Sequence, residues 1–471
     1  MTKPADSTGR RRSLLCVAYA FAPVLRSGTH RTLAFVRHLD RRGWDSTVIT
    51  VQPDGEPVDL DLLSRVPERT RVIRTHWAPL TEQLKRLCGW IRRPRPAGVN
   101  GPARSGPGEA AGVHRGLRDW FSRLLLTPDS RLGWVLPGLA ATRGRRVDAV
   151  YSTSPFPSAH LIAMLAAARL RRPWVADFRD PWGGNPFRDL GYGSLAAWDA
   201  WLERRVLRRA SRIVCNTPTL RSSLVWRLPW TAAKSVTLPN GYDLDGIEAA
   251  DPIRDFGDDA FVLVHTGNFY GKRSPIPLLR GLKQAVQRSE EVARRVRVVF
   301  VGDPTYDGQR IEHLAEAAGL AGQMQVLGVR PHAEVLGRLR GADASIVVGL
   351  DGPGSDLQVP NKLYEYLAVR RPILALAPRE GAIANVLADA VADNLVCSPQ
   401  DEGEIALGIE WMVRRGGGFV EGAWSGVQRY DRRYAAEGLA RMLDELIGAC
   451  SSAARADACA AAEQGGVVCV P

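Results

Sequence analysis

A short apolar run that gives way to a loop, an amphipathic stretch and another apolar run is written twice in this chain, and the repetition restricts the folds open to it. Residues 14–21 form the first run, followed by a Pro/Gly loop through Gly28, a helix-period stretch at 31–42 and a second run at 47–51. That order reads as a βαβ opening. Further strand-like runs stand at 147–152, 174–178, 211–216 and 235–238. A polar, acidic linker at 251–259 then precedes a fresh series with runs at 261–266, 296–301, 325–327, 344–348 and 373–376. The pattern predicts an α/β protein of two successive parallel-sheet domains, 1–250 and 251–430, then a helix at 431–448. The Ala, Ser, Gly and Cys tail at 449–471 is expected to be disordered. A chain of 471 residues is too long for one ordinary core and fits this division.

Composition removes several function classes. Hydrophobic content of 45% with 24% charged residues argues against bulk disorder. A net charge of +13 raises nucleic acid and anionic membranes as partners. The excess is arginine, dispersed along the chain and without a nucleic-acid-binding module, so nucleic acid is not expected. Seven scattered cysteines without a Cys-x-x-Cys pair indicate neither a disulfide framework nor a zinc site. No signal peptide is apparent and no run approaches the roughly 20 apolar residues of a membrane span. A cytoplasmic protein is expected, with peripheral contact to an anionic membrane open to it. Residues 92–112 read as a flexible Pro/Gly/Arg insertion. At 114–126, Leu117, Trp120, Phe121, Leu124 and Leu125 share one helical face while Arg115, Arg118 and Arg123 occupy the rest. Such a helix either packs on its own domain or lies on an anionic membrane.

The residues most suggestive of chemistry are Gln358-Val359-Pro360-Asn361-Lys362-Leu363-Tyr364-Glu365-Tyr366-Leu367-Ala368, with a Pro-initiated strand after them. A Pro suited to a helix's first turn, with Lys362 and Glu365 one turn apart, makes an anion-binding corner that suits a nucleotide diphosphate. Gly352-Pro353-Gly354-Ser355 offers backbone N–H groups nearby. In the first half, Arg179-Asp180-Pro181-Trp182 follows a strand's C-terminal end, where open α/β sheets build their sites. The loop at 22–28 lacks the Gly-x-Gly-x-x-Gly order of dinucleotide-binding folds. Two triplets, Asp59-Leu60-Asp61 and Asp243-Leu244-Asp245, stand in loop-like context and read as solvated turns.

Taken in order, these pieces resemble glycosyltransferases of the GT-B fold, family 4 (group 1) type. The matching segments are 21–28, Ser154-Pro155, Asp177-Phe178-Arg179-Asp180-Pro181-Trp182, Leu238-Pro239-Asn240-Gly241 and the Lys362 helix. The resemblance spans residues 14 to about 446 and implies two Rossmann-like domains facing across a cleft, with the C-terminal helix crossing back to the first. It implies sugar transfer from a nucleotide-diphosphate donor to a hydroxyl acceptor, a lipid-linked glycan or natural product, with retention of configuration. Arg273, or its neighbour Lys272, and Lys362 would neutralise the diphosphate, and Glu365 would accept from the ribose hydroxyls. Gly28 would let backbone approach the donor and the base would rest near Gly328. His160 would approach the sugar or else be structural; Arg179 and Asp180 would orient acceptor or sugar, or simply pair with each other. The family's first glutamate is replaced by Leu357, leaving Ser355 or Asp356 to substitute. No metal or other cofactor is required, because cationic side chains can take the metal's electrostatic role. An epimerase or hydrolase on the same scaffold, or a noncatalytic nucleotide-sugar-binding module, is the alternative.

Overall fold

The computed structural model describes residues 10–80, 120, 123–185, 188, 190, 193–352, 354–390, 394–417 and 426–464. The insertion expected at 92–112 and most of the amphipathic stretch at 114–126 lie outside the described residues. The chain forms two compact units, one of residues 1–183, 187–214 and 440–471, the other of 184–186 and 215–439.

Seven strands, β1 (Arg12–Ala18), β2 (Trp44–Val51), β3 (Arg71–Thr75), β4 (Ala149–Thr153), β5 (Trp174–Phe178), β6 (Arg212–Cys215) and β7 (Ser235–Thr237), make the first sheet. Their order is β3-β2-β1-β4-β5-β6-β7. β1 pairs in parallel with both β2 and β4, and Leu14, Leu15, Cys16, Val17 and Ala18 are all buried. A strand covered on both faces needs a continuous apolar run rather than an alternation, which is how this segment reads. Between β1 and β2 the chain returns through helix α1 (Ser27–Arg41); between β4 and β5 it returns through α2 (Pro157–Leu170), which carries its proline in the first turn. Helix α3 (Gly193–Arg209) leads into β6.

The second sheet repeats the plan with β8 (Phe261–Thr266), β9 (Val296–Val301), β12 (Met324–Val326), β13 (Ala344–Val348), β14 (Ile373–Leu376) and β15 (Asn394–Cys397), while Thr305–Tyr306 and Gln309–Arg310 form the separate hairpin β10/β11. The order is β12-β9-β8-β13-β14-β15, all parallel. Successive residues of β8 enter opposite cores. Val262 and Val264 pack with helix α5 (Lys362–Val369), and Phe261 and Leu263 pack with α4 (Ile276–Arg288). Helices therefore cover both faces. In each sheet the strand order reverses beside the first strand, between β1 and β4 and between β8 and β13. Ligands of open α/β sheets bind beyond the strands' C-terminal ends at such points.

The last helix, α6, runs Arg432–Gln464, well past the residue 448 at which the sequence places its end. Alanine is the strongest helix former, so an Ala-rich segment extends a helix already begun. Its residues from Ala440 onward belong to the first unit, where Asp444 accepts from the Arg12 guanidinium and, at 3.2 Å, from Trp44 Nε1.

Candidate functional site

In the second unit the predicted cations meet at the C-terminal ends of β8 and β13. Helix α5 buries Leu363, Tyr364, Tyr366 and Leu367 against the sheet, while Lys362, at its first position, reaches the end of β8 and Glu365 is only partly buried. The Lys362 ammonium donates to the Thr266 carbonyl and lies 2.8 Å from His265 Nε2. The other imidazole nitrogen, Nδ1, is 2.9 Å from the Ile346 carbonyl oxygen. A carbonyl can only accept, so Nδ1 carries the proton and Nε2 presents its lone pair to the ammonium. Burial, then the Lys362 and Arg273 charges, push the His265 pKa well below the usual histidine range and keep the ring neutral. Its ring stacks on Phe269 at 4.5 Å, which fixes its orientation.

Arg273 is anchored on the neighbouring strand. Its Nε donates to the Val348 carbonyl at 3.0 Å, and Nη1 donates to the Tyr270 hydroxyl at 2.9 Å. Burial first, and the Arg273 charge second, push the Lys362 pKa well below the ordinary lysine range. Two like charges with no carboxylate against either ammonium or guanidinium in these contacts form an electropositive corner whose strain an anion relieves. Lys272 goes elsewhere: its Nζ lies 3.6 Å from where a Cβ on Gly352 would stand. Ser355 is buried at the start of a 3-10 turn, Ser355–Leu357, and Leu357 is also buried. Of the two residues offered as substitutes for the family's first glutamate, Ser355 and Asp356, Asp356 is the more accessible.

Glu365 lies 3.1 Å from His332 Nε2, and the Gly328 carbonyl accepts from the Gly302 N–H at 3.1 Å. Gly302 has no room for a side chain, because a Cβ there would stand 2.5 Å from the Gly267 carbonyl oxygen. Gly267 has φ +83°, a left-handed conformation that favours glycine. Thr266, just before it, is held by Tyr366, whose hydroxyl accepts from the Thr266 N–H at 2.8 Å.

The first unit collects the other predicted residues around the β1/β4 reversal. His160, on α2, is wholly buried, stacks on Phe178 at 4.5 Å, and has Nδ1 2.8 Å from Ser152 Oγ. Burial lowers its pKa to about 4, with the Asp177 charge opposing more weakly. It is therefore neutral near pH 7, and its Nε2 is buried without a hydrogen-bond partner. Arg179 and Asp180 form an adjacent ion pair of 3.1 Å, and both backbone N–H groups donate to Ser154 Oγ. The Arg179 guanidinium fills the space beside Gly28, with Nη1 2.6 Å from where a Cβ would stand. Below this lies a wholly buried carboxylate: Asp177 accepts from Arg31 through both oxygens, at 2.8 and 3.1 Å, and from Tyr151 at 2.5 Å. That pair ties α1 to the end of β5 and so sets where Gly28 and Arg179 stand.

Sequence reasoning did not single out His265, His332, Gly267 or Gly302, and gave Tyr366 no role of its own within its motif. A lone histidine inside an apolar strand looks like any core residue. The available signal was its place immediately before Thr266-Gly267, at the end of the first strand of the second series. The two Asp-x-Asp triplets, expected as turns, stand at helix starts: Asp61 opens the short helix Asp61–Ser64, its N–H donating to Asp59 Oδ1 at 3.0 Å, and Asp243 is the N-cap of the short helix Leu244–Glu248, which contains Leu244 and Asp245. Among the described residues no cluster of three or more potential metal-ligating side chains occurs, and no helix is long and apolar enough to cross a membrane.

Two family models match, the glycosyl transferase 4-like domain over residues 28–241 and glycosyl transferases group 1 over residues 260–415. The chain belongs to the group 1 glycosyltransferases, a family of sugar-transferring enzymes. Among curated relatives, D-inositol 3-phosphate glycosyltransferase 1 of Catenulispora acidiphila is 28% identical over 156 residues, 31% of this chain and 37% of that protein. The chain thus spans little more than a third of that relative's length. Among solved structures, a glycosyltransferase from Rickettsia africae matches with TM-score 0.61 at 13% identity, covering 93% of this chain and 99% of that one. The Anabaena HepE protein in complex with UDP-glucose matches with TM-score 0.53 at 13% identity, covering 94% and 99%. Both likenesses concern the fold, two parallel-sheet α/β domains as in GT-B glycosyltransferases.

Proposed function

We propose that this protein transfers a sugar from a nucleoside-diphosphate donor to a hydroxyl acceptor, working in the cytoplasm with peripheral access to an anionic membrane. The observation that carries the reading is the pairing of Lys362 and Arg273 beyond β8 and β13. In the reaction the bond from the sugar's anomeric carbon to the donor phosphate breaks and its electron pair leaves with the diphosphate. The acceptor oxygen bonds to that carbon on the same face, and its proton passes to a phosphate oxygen. Negative charge grows on the leaving group, and two preorganised cations stabilise it more than they stabilise the ground state. Glu365 takes the ribose diol, and the base lies along Gly328. His160, neutral, offers hydrogen bonding to the sugar and no proton transfer. Arg179 and Asp180 orient the acceptor. The relative's name, an inositol-phosphate glycosyltransferase, supports a hydroxyl acceptor, and the HepE complex supports a nucleotide-sugar donor.

The test is a screen of radiolabelled nucleotide sugars against soluble small molecules and membrane extracts, with Lys362→Ala alongside. Label moving to an acceptor, and a drop of about 100- to 1,000-fold in kcat for the variant, are expected. Donor rearranged or hydrolysed without an acceptor would point instead to an epimerase-like or hydrolytic enzyme. Binding without any turnover would reduce the protein to a nucleotide-sugar-binding module.

A further inference from the structure

Helix α3 (Gly193–Arg209) carries an outward face unlike the rest of its unit. Trp198 and Trp201, one turn apart, are 43% and 47% exposed, and their rings stack at 4.9 Å with an interplanar angle of 14°. Their indoles therefore form one slab instead of two scattered residues. Arg205 stands over Trp201 at 5.4 Å, and Arg204, Arg208 and Arg209 are exposed on the same half of the helix. The helix has two acids, and both turn inward: Asp199 accepts from Trp182 Nε1 and Arg188, and Glu203 accepts from the Gly183 N–H. Its exposed positions thus hold two tryptophans, four arginines and no carboxylate.

A surface protein leaves two large rings in water at a cost, and a solubilising helix would mix acids with its bases. Tryptophan with an apolar body and polar edge favours the headgroup level of a bilayer, and arginines flanking it favour anionic lipid. A second observation places more of the same chemistry here. Trp120, within the basic amphipathic stretch read from the sequence, donates through Nε1 to Ser194 Oγ at 3.0 Å, at the start of α3.

We propose that the outward face of α3, centred on the Trp198/Trp201 slab, docks this enzyme on an anionic lipid surface. This deepens the membrane contact in the functional reading by giving it a location, and because it is measured as binding, it stands or falls separately from sugar transfer. Nucleic acid is less favoured, because the Trp201 ring, stacked on Trp198 and overlaid by Arg205, has little open face on which a base could stack.

The experiment is sedimentation of the full chain with vesicles of phosphatidylcholine alone and of phosphatidylcholine with phosphatidylglycerol in equal parts. Wild type is expected to sediment with the anionic vesicles only, and less so at high salt. Trp198→Ser with Trp201→Ser should weaken binding about tenfold or more. Arg205→Gln with Arg208→Gln should weaken it roughly thirtyfold, at about 1 kcal/mol per arginine near the surface. Neither pair should change turnover of a soluble acceptor. Hydrogen exchange on the wild type provides a readout that needs no variant: peptides from 193–209 should gain protection on adding anionic vesicles. Equal binding to neutral vesicles, no binding, unchanged binding by both variants, protection elsewhere only, or competition by single-stranded DNA at equal charge would each overturn the proposal.

Discussion

At the scale of single residues, the Lys362–His265 contact has the sharpest consequences. The free protein holds the Lys362 pKa well below its usual range, through burial and then Arg273, and a bound diphosphate favours the charged form and raises it. Between those two values, binding takes up a proton, so nucleoside-diphosphate affinity falls as pH rises through that window. Calorimetry in buffers of different ionisation enthalpy should record this uptake, and Lys362→Ala should abolish it. His265→Phe keeps a ring against Phe269 but removes the lone pair that accepts from Lys362. Its kcat is expected to fall by up to about a hundredfold with the fold intact. A variant as active as wild type would show that Thr266 alone positions the ammonium. Lys362 left a trace of its own in the sequence, a Pro-led helix with spaced charges, whereas Arg273 was reached through the family resemblance alone. His265 and Glu365's partner His332 were not legible, since their roles depend on which strand ends meet, and that is decided by tertiary pairing.

Among the elements, two glycines near the candidate site make opposite predictions. A methyl at Gly302 would meet the Gly267 carbonyl at 2.5 Å, backbone that cannot yield. Gly302→Ala should cost about 1–3 kcal/mol and distort the loop after β8. A methyl at Gly28 would meet only the Arg179 guanidinium at 2.6 Å, the far end of a flexible side chain. Gly28→Ala should therefore change stability by less than about 0.5 kcal/mol while displacing Arg179, so its effect belongs in kinetics. Chemical denaturation and steady-state rates of the two variants, measured together, separate the cases. Strands and crossover helices were readable because doubly covered strands need unbroken apolar runs. The end of α6 was misread because Ala-rich composition was taken for a tail, although alanine is also the best helix former.

For the molecule as a whole, pH sets a limit through His160. Its pKa is about 4 when folded and near 6.5 when unfolded, so as pH falls through 6.5 the unfolded chain binds the proton first. Stability should decline from pH 6.5 down to about 4, by roughly 3 kcal/mol at most, and be unaffected by this group above that range. Urea unfolding at several pH values should trace the decline, and His160→Gln should flatten it; an unchanged slope would mean the ring is not held neutral. The two-domain plan itself was visible in the repeated βα series. Which surface meets a partner was less so: the α3 tryptophans are unremarkable in the sequence until the turn-by-turn geometry puts them side by side and turns Asp199 and Glu203 inward.

The choice of a neutral imidazole, rather than an aspartate or glutamate, as the perch for Lys362 bears on how the enzyme rests between turnovers. A carboxylate in that place would hold the ammonium just as firmly but would have to be outcompeted by every incoming donor, and would draw it back before product left. With His265 nothing cancels the charge, so burial and Arg273 lead the empty protein to shed the Lys362 proton, and a phosphorylated guest brings proton and charge back together.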